Sequence, residues 1–328
     1  MGTFIAVGAV LGGAAALGAV SMLGAKKLFD MTIPRQKEIK VDLNEFADME
    51  KWEEYKKIIG PRKKWLMAQN LEKITISARD GIKLHAYYLP AEKSSDRLVI
   101  GLHGYTSCGL SDFCSHTYYF HRMGFDYLIP DHRGHGESDG DYIGFGILDR
   151  FDCRAWIDYV DKRFDGEKQI LLHGTSMGAT TALMTVGAVD LPESVKAVVS
   201  DCAFTSPYDI FRHILKKNYH LPAHPIMDIN DRMCRKTAGY GFRDYSTLTA
   251  VQNTRCPVLF IHGKEDKFVP TWMTDENYKA CASPKEIWFC DGAEHGSSYY
   301  EKPNEYEEKI AHFVQQWILK EKEERDLL

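Results

Sequence analysis

Short runs of apolar residues recur along this chain, separated by stretches with helical spacing. Residues 97–102, 169–172, 195–200, 256–263 and 285–290 read as strands, and the near-continuous apolar character of most of them suits strands covered on both faces. Residues 112–123, 147–163 and 304–320 carry helical periodicity instead. This alternation predicts a largely parallel sheet with helices on both faces. Residues 72–77 and 82–88, joined through Asp80-Gly81, read as an antiparallel hairpin leading into that sheet. The folded portion contains no internal repeat.

Three segments fall outside the pattern. Residues 42–59 form a charged amphipathic helix, expected as a stalk packing on the domain. Residues 203–250 interrupt the sheet between the sixth and seventh strands, carrying Pro207, Pro222, Pro225, Gly239, Gly241 and two helical pieces. Residues 3–25 carry no charge, and that length suits a membrane span. Gly8 and Gly12 within it offer a small-residue face for another helix. A cleaved secretory signal is the competing reading, but no Lys or Arg precedes the run and no small-residue cleavage site follows it. Lys26, Lys27, Arg35 and Lys37 follow it, so the positive-inside rule places the rest of the chain in the cytoplasm at the cell membrane. The organisation expected is a single-pass anchor over 1–27, a juxtamembrane stalk over 28–70 and a folded domain over 71–328.

Composition narrows the picture further. With 328 residues, 44% hydrophobic and 12% aromatic, the chain can build a sizeable core. A net charge of −5 gives no reason to expect a nucleic-acid partner. Its eight cysteines show no paired short spacing and read as reduced thiols. No zinc-type Cys/His spacing occurs, and no cofactor or metal is expected.

The candidate chemistry centres on Gly174-Thr175-Ser176-Met177-Gly178. An apolar run enters it and the small-residue stretch 179–183 leaves it, so Ser176 sits where a strand turns sharply into a helix. Serine becomes a useful nucleophile when a histidine takes its proton and a carboxylate orients that histidine. Asp266 follows the strand ending near His262, and His295 follows the strand ending at Cys290. Each residue taken alone is as well explained as a solvated loop acid or a capping histidine. Asp201, at another strand end, is the rival for the acid. An oxyanion hole needs two backbone N–H groups: Met177, after the serine, offers one, and Tyr105, after the strand at 97–102, offers the other. His103 is expected to pack beneath that loop.

Together these segments resemble the α/β-hydrolase family from about Leu71 to Trp317. The resemblance rests on His103-Gly104-Tyr105-Thr106-Ser107, on residues Asp131-His132-Arg133-Gly134-His135-Gly136-Glu137-Ser138, on the serine motif, on His262-Gly263-Lys264-Glu265-Asp266 and on Glu294-His295-Gly296. It is similar to membrane-anchored bacterial esterase/lipase or serine aminopeptidase-like proteins. The resemblance implies an eight-stranded, mostly parallel α/β-hydrolase sheet with a helical lid over 203–250. It implies Ser176 as nucleophile, Asp266 as acid, His295 as base, and Tyr105 and Met177 as oxyanion donors. It makes Asp131–Asp141 a structural turn rather than a metal site. Phe204, Tyr208 and Phe211 are expected to line an acyl pocket, and His213, His220 and His224 to be solvated or structural.

The leading expectation is a serine hydrolase acting on a small-molecule carboxylic ester or thioester. An aminopeptidase would need an acid to hold a substrate amine, with Glu137 and Asp209 as candidates. A non-catalytic membrane-tethered scaffold has no need of all five motifs. None of these motifs lies in the first 30 residues, so the domain is expected to work without them.

Overall fold

The structure, a computed structural model, describes Gly18, residues 20–36 and residues 49–319. Its elements run α1 (20–32), α2 (Met49–Met67), β1 (Glu72–Ser77), β2 (Lys83–Leu89), β3 (Arg97–Leu102), α3 (Gly109–Asp112), α4 (Cys114–Arg122), β4 (Asp126–Pro130), α5 (Asp149–Arg163), β5 (Gln169–Thr175) and α6 (Met177–Val186). They continue with β6 (Val195–Asp201), α7 (Pro207–Lys217), α8 (Ile226–Ala238), α9 (Thr247–Asn253), β7 (Val258–Gly263), α10 (Trp272–Ala280), β8 (Lys285–Cys290), α11 (Ser298–Glu301) and α12 (Pro303–Val314).

The eight strands form one sheet in the order β1-β2-β4-β3-β5-β6-β7-β8. The expected hairpin pairs Ile74 with Ala86 and Ile76 with Leu84, and β2 pairs antiparallel with β4. All other pairings are parallel. Strand periodicity sends alternate residues to opposite faces. Leu98, Ile100, Leu102, Ile170 and Leu172 pack with Trp156 of α5 and Leu183 of α6. Val99, Leu171, Val199 and Leu259 pack with Phe120 of α4 and Phe313 of α12. Both faces are therefore covered, which is why the central strands read as continuous apolar runs.

A third apolar cluster involves the N-terminal and insertion helices. Leu28 and Phe29 of α1 join Met177, Phe204, Phe211 and Leu215 of α7, and Met227 of α8. The segment between β6 and β7 holds three helices, α7 to α9, rather than two. Ser206 caps α7 by accepting from Asp209 N at 3.1 Å, with Pro207 in the first turn.

The charged helix expected over 42–59 runs instead from Met49 to Met67, through Pro61. The earlier part, 42–48, lies outside the described residues. An interior proline costs about 3 kcal/mol. Packing beyond it supplies the compensation: Leu66 is fully buried, Trp65 meets Tyr118 edge-on at 4.9 Å, and Arg62 lies 3.6 Å over the same ring.

Of the uncharged run 3–25, only Gly18 and residues 20–25 are described. Among the described residues no helix is long and apolar enough to cross a membrane. The end of the run belongs to α1, which lies on the domain: Ala25 is buried, and Asn230 of α8 donates to its carbonyl at 3.1 Å. Beyond α1, Arg35 donates to the carbonyls of Ser138 and Gly136, both at 2.6 Å.

Candidate active site

Strand β5 ends at Thr175 and α6 begins at Met177, leaving Ser176 between them with φ 55° and ψ −116°. A non-glycine residue there costs about 1–3 kcal/mol, and the surroundings must impose it. Ser176 N donates to Asp201 O at 2.8 Å. The flanking glycines allow the turn to close. A Cβ on Gly174 would meet Gly178 O at 2.3 Å, and one on Gly178 would meet Leu102 O at 1.8 Å. The motif's spacing is thus a steric requirement of a strand, a turn and a helix pressed together.

Three side chains from three loops converge here. His295 Nε2 lies 2.9 Å from Ser176 Oγ, and His295 Nδ1 lies 2.7 Å from Asp266 Oδ2. Asp266 is fixed in turn. Its Oδ1 accepts from Phe268 N at 2.8 Å and Val269 N at 2.9 Å. Its Oδ2 also lies 3.0 Å from His262 Nε2. That nitrogen faces a second acceptor, Val269 O, at 2.9 Å, so it must carry the proton. His262 Nδ1 lies 2.7 Å from the Thr274 hydroxyl, which fixes the ring from its other side. His262, passed over in the sequence as a strand-end residue, is therefore a donor that holds Asp266 in place.

The electrostatics follow from this geometry. Burial alone would raise the Asp266 carboxyl, but His295 charge and the hydrogen bonds from both histidines outweigh it and hold the group well below the ordinary carboxylate range. Burial would likewise lower His295, yet the Asp266 carboxylate holds its imidazolium well above the usual histidine value. Asp201 differs. Burial pushes it up to about 6, and its carboxylate receives Ser298 Oγ at 3.4 Å. Of the two rival acids, it is Asp266 whose carboxylate is hydrogen-bonded to His295. Cys202 also offers its sulfur within 4.8 Å of Asp266 and His295; burial pushes that thiol up to about 11, which keeps it protonated at neutral pH.

The loop after β3 lies beside the serine. A Cβ on Gly104 would sit 3.6 Å from Ser176 Cβ, and Gly104 N donates to Asp112 Oδ2 at 2.8 Å. His103, fully buried, accepts from His132 N at 2.9 Å, while His135 Nε2 accepts from Thr106 N at 3.2 Å. Asp131 spends both carboxylate oxygens on backbone donors, Gly109 N at 2.8 Å and Glu137 N at 2.9 Å. Arg133 grips Asp152 through two contacts of 2.6 Å. These bonds make 131–138 a structural turn that supports the 103–107 loop.

Ser176 opens into a cavity of about 190 Å³ lined by Tyr105, Phe145, Phe204, Phe211, Leu215 and Phe268, among others. Phe204 and Phe211 are thus among its walls. Tyr208 is not: it borders two outer grooves, with Arg243 stacked 3.5 Å over its ring. On α7, Ile210, Phe211, Ile214 and Leu215 share the cavity face, and at 3.6 residues per turn Tyr208 lies about a quarter turn away. His213, His220 and His224 line the outer groove as well. Glu137 forms an ion pair with Lys73, and Asp209 accepts from Thr205 and Ser206 at 2.9 and 2.7 Å. Among the described residues, no carboxylate lines the cavity.

The sequence reading missed one wall. Gly24, Lys27, Leu28, Met31 and Thr32 of α1 line the same cavity. The Tyr105 hydroxyl reaches the carbonyls of Met31 and Thr32 at 3.2 and 3.3 Å. These contacts give α1 a place in the cavity wall that the expectation of dispensable first residues did not include. A signal was present in Ala25, Leu28, Phe29, Thr32 and Ile33, which recur at helical spacing and mark a packed face.

Comparison with known proteins agrees with this architecture. Residues 97–220 match the family model described as alpha/beta hydrolase fold. The uncharacterized protein YqkD of Bacillus subtilis is 28% identical over 234 residues, covering 71% of this chain and 76% of that protein. Among solved structures, the Pyrococcus furiosus esterase Pf2001 superposes with a TM-score of 0.63 at 21% identity, covering 77% of this chain and 94% of that one. Est1E from Butyrivibrio proteoclasticus, solved with ferulic acid bound, gives 0.59 at 20% identity, with 75% and 99% covered. The sheet order, the turn at Ser176 and these matches lead to one conclusion: the chain has the α/β-hydrolase fold.

Proposed function

We propose that the protein is a serine hydrolase that cleaves carboxylic esters or thioesters through an acyl-enzyme. The observation that carries this reading is the unbroken chain Ser176–His295–Asp266, at 2.9 and 2.7 Å, opening into an apolar cavity. Ser176 Oγ attacks the acyl carbonyl while His295 Nε2 takes its proton. Asp266 keeps the Nδ1–H of His295 pointed at itself, which leaves Nε2 free to accept, and it stabilises the imidazolium that forms. The tetrahedral oxyanion is received by the N–H of Met177 and of Tyr105. Met177 heads α6, where first-turn N–H groups have no acceptor within the helix. His295 then protonates the departing alcohol or thiol. Water, deprotonated by the same imidazole, releases the acid and restores Ser176. Helices α7 and α8 act as a lid, with Phe204 and Phe211 against the acyl group.

A panel of p-nitrophenyl esters and aminoacyl p-nitroanilides tests the bond class. Esters should be turned over and anilides far more slowly, since Glu137 and Asp209 are engaged elsewhere and the cavity offers no acid to hold an amine. Faster turnover of an anilide would make the protein an amidase.

The part of the uncharged run that precedes α1 serves in this reading as a membrane anchor, with the domain on the cytoplasmic side. Deleting residues 1–17 should release the protein from the membrane fraction with ester turnover retained. Deleting residues 1–32 should release it with much lower kcat/KM, because a cavity wall and the Tyr105 contacts go with it. Equal activity of the two truncations would contradict a role for α1. Labelling of Cys108 in unopened cells by an impermeant maleimide would contradict the cytoplasmic placement; it is the one cysteine of the eight that is not fully buried.

A further inference from the structure

Large apolar side chains at a soluble surface usually stand singly. Among the described residues eight are exposed, and five of them, Val20, Leu23, Tyr219, Leu221 and Trp272, lie on the cavity-lining stripe of α1 or border the cavity or the groove beside it. Val20 and Leu23 precede Gly24 and Lys27 by four residues, so they continue along α1 the stripe that lines the cavity. Tyr219 and Leu221, in the turn after α7, also line that cavity. Leu221 borders the neighbouring groove as well, together with Trp272, Arg212 and Lys216.

The charges on this side are mostly positive. Lys27 stands among the cavity-lining residues, and Lys216 and Arg212 line the groove; Asp209 offsets Arg212 at 3.5 Å. An apolar patch edged by lysine suits the headgroup region of an anionic bilayer. The chain itself points the same way, because the uncharged run 3–25 leads directly into α1. The cavity's 190 Å³ is below the range of about 300–1,000 Å³ usual for ligand pockets, so it admits the inner part of one unbranched chain rather than a bulky acid, and the rest of a long chain would lie outside it.

We infer that α1 and the turn after α7 form a membrane-facing mouth that docks on an anionic bilayer, through which a single-chain fatty acyl ester passes to Ser176. This rests on the hydrolase reading above. Water adds across the ester, its acyl C–O bond breaks, and a fatty acid and an alcohol leave.

The test uses the full chain, reconstituted on phosphatidylcholine vesicles with and without phosphatidylglycerol. Two substrates are compared, methylumbelliferyl palmitate held in the vesicles and p-nitrophenyl acetate in the buffer. The variant Leu23→Glu/Trp272→Glu should lose roughly tenfold or more of its rate on the vesicle-borne ester and keep kcat/KM on the acetate. Phosphatidylglycerol should raise the palmitate rate of the wild type, and Lys216→Glu should shrink that increase. An equal fall on both substrates, or no fall on either, would overturn the inference. So would unchanged rates accompanied by a shift from dimer to monomer in sedimentation, which would assign the face to a second copy. A wild type inactive on the acetate would instead defeat the hydrolase reading itself.

Discussion

Replacing Asp266 with asparagine should lower kcat about 10⁴-fold, the size of the effect for the corresponding change in a serine protease. The reason lies in hydrogen-bond direction rather than in charge alone. Phe268 N and Val269 N donate to Oδ1, so in the variant the amide oxygen stays with them and the NH₂ turns toward His295 Nδ1. An imidazole facing a donor at Nδ1 carries its proton on Nε2 and cannot accept one from Ser176. The pH profile provides a second readout. With Asp266 holding the imidazolium above its ordinary value, the wild-type acid limb of kcat/KM should lie above about 6.5. Activity appears as pH rises through that raised value and the base becomes neutral. Without the carboxylate the limb should move to lower pH. Asp201→Asn should cost far less, because Asp201 makes its hydrogen bond to Ser298. Kinetic assays of both variants decide the matter, and the reverse ranking would transfer the role to Asp201.

The largest loss is expected for Ser176→Ala, about 10⁶-fold in kcat by analogy with removal of a serine nucleophile elsewhere. The substitution removes one oxygen and retains a Cβ at the same strained φ of 55°, so the turn itself should persist. A residual rate above water would come from the oxyanion donors and the cavity. Unfolding by circular dichroism should match the wild type; near-normal ester turnover in a folded variant would remove Ser176 from the mechanism.

Much of this site was legible because its parts sit at strand ends. Apolar runs give the strands, β3 to β8 run parallel, and the loops after β5, β7 and β8 therefore emerge on one edge with Ser176, Asp266 and His295. The choice between Asp266 and Asp201 was not legible. Both follow strands, and the decision depends on which carboxylate reaches His295. Tyr208 failed for a related reason, since an aromatic on an insertion helix announces burial without announcing direction. The packing of α1 was less legible, because Lys26 and Lys27 read as the charged flank of an apolar run and interrupt the stripe that continues through Leu28 and Phe29. His262 was hidden because a histidine closing a buried strand gives no hint of its tautomer; only the opposing acceptors Asp266 and Val269 reveal it.

The most direct measurement is to treat the full chain with a fluorophosphonate and map the modified residue by peptide mass spectrometry. An activated Ser176 should displace fluoride and carry the phosphonyl group on Oγ, at a rate that falls with Asp266→Asn and vanishes with Ser176→Ala. Modification at another residue, or none in a folded protein that still hydrolyses esters, would contradict a Ser176–His295–Asp266 nucleophile.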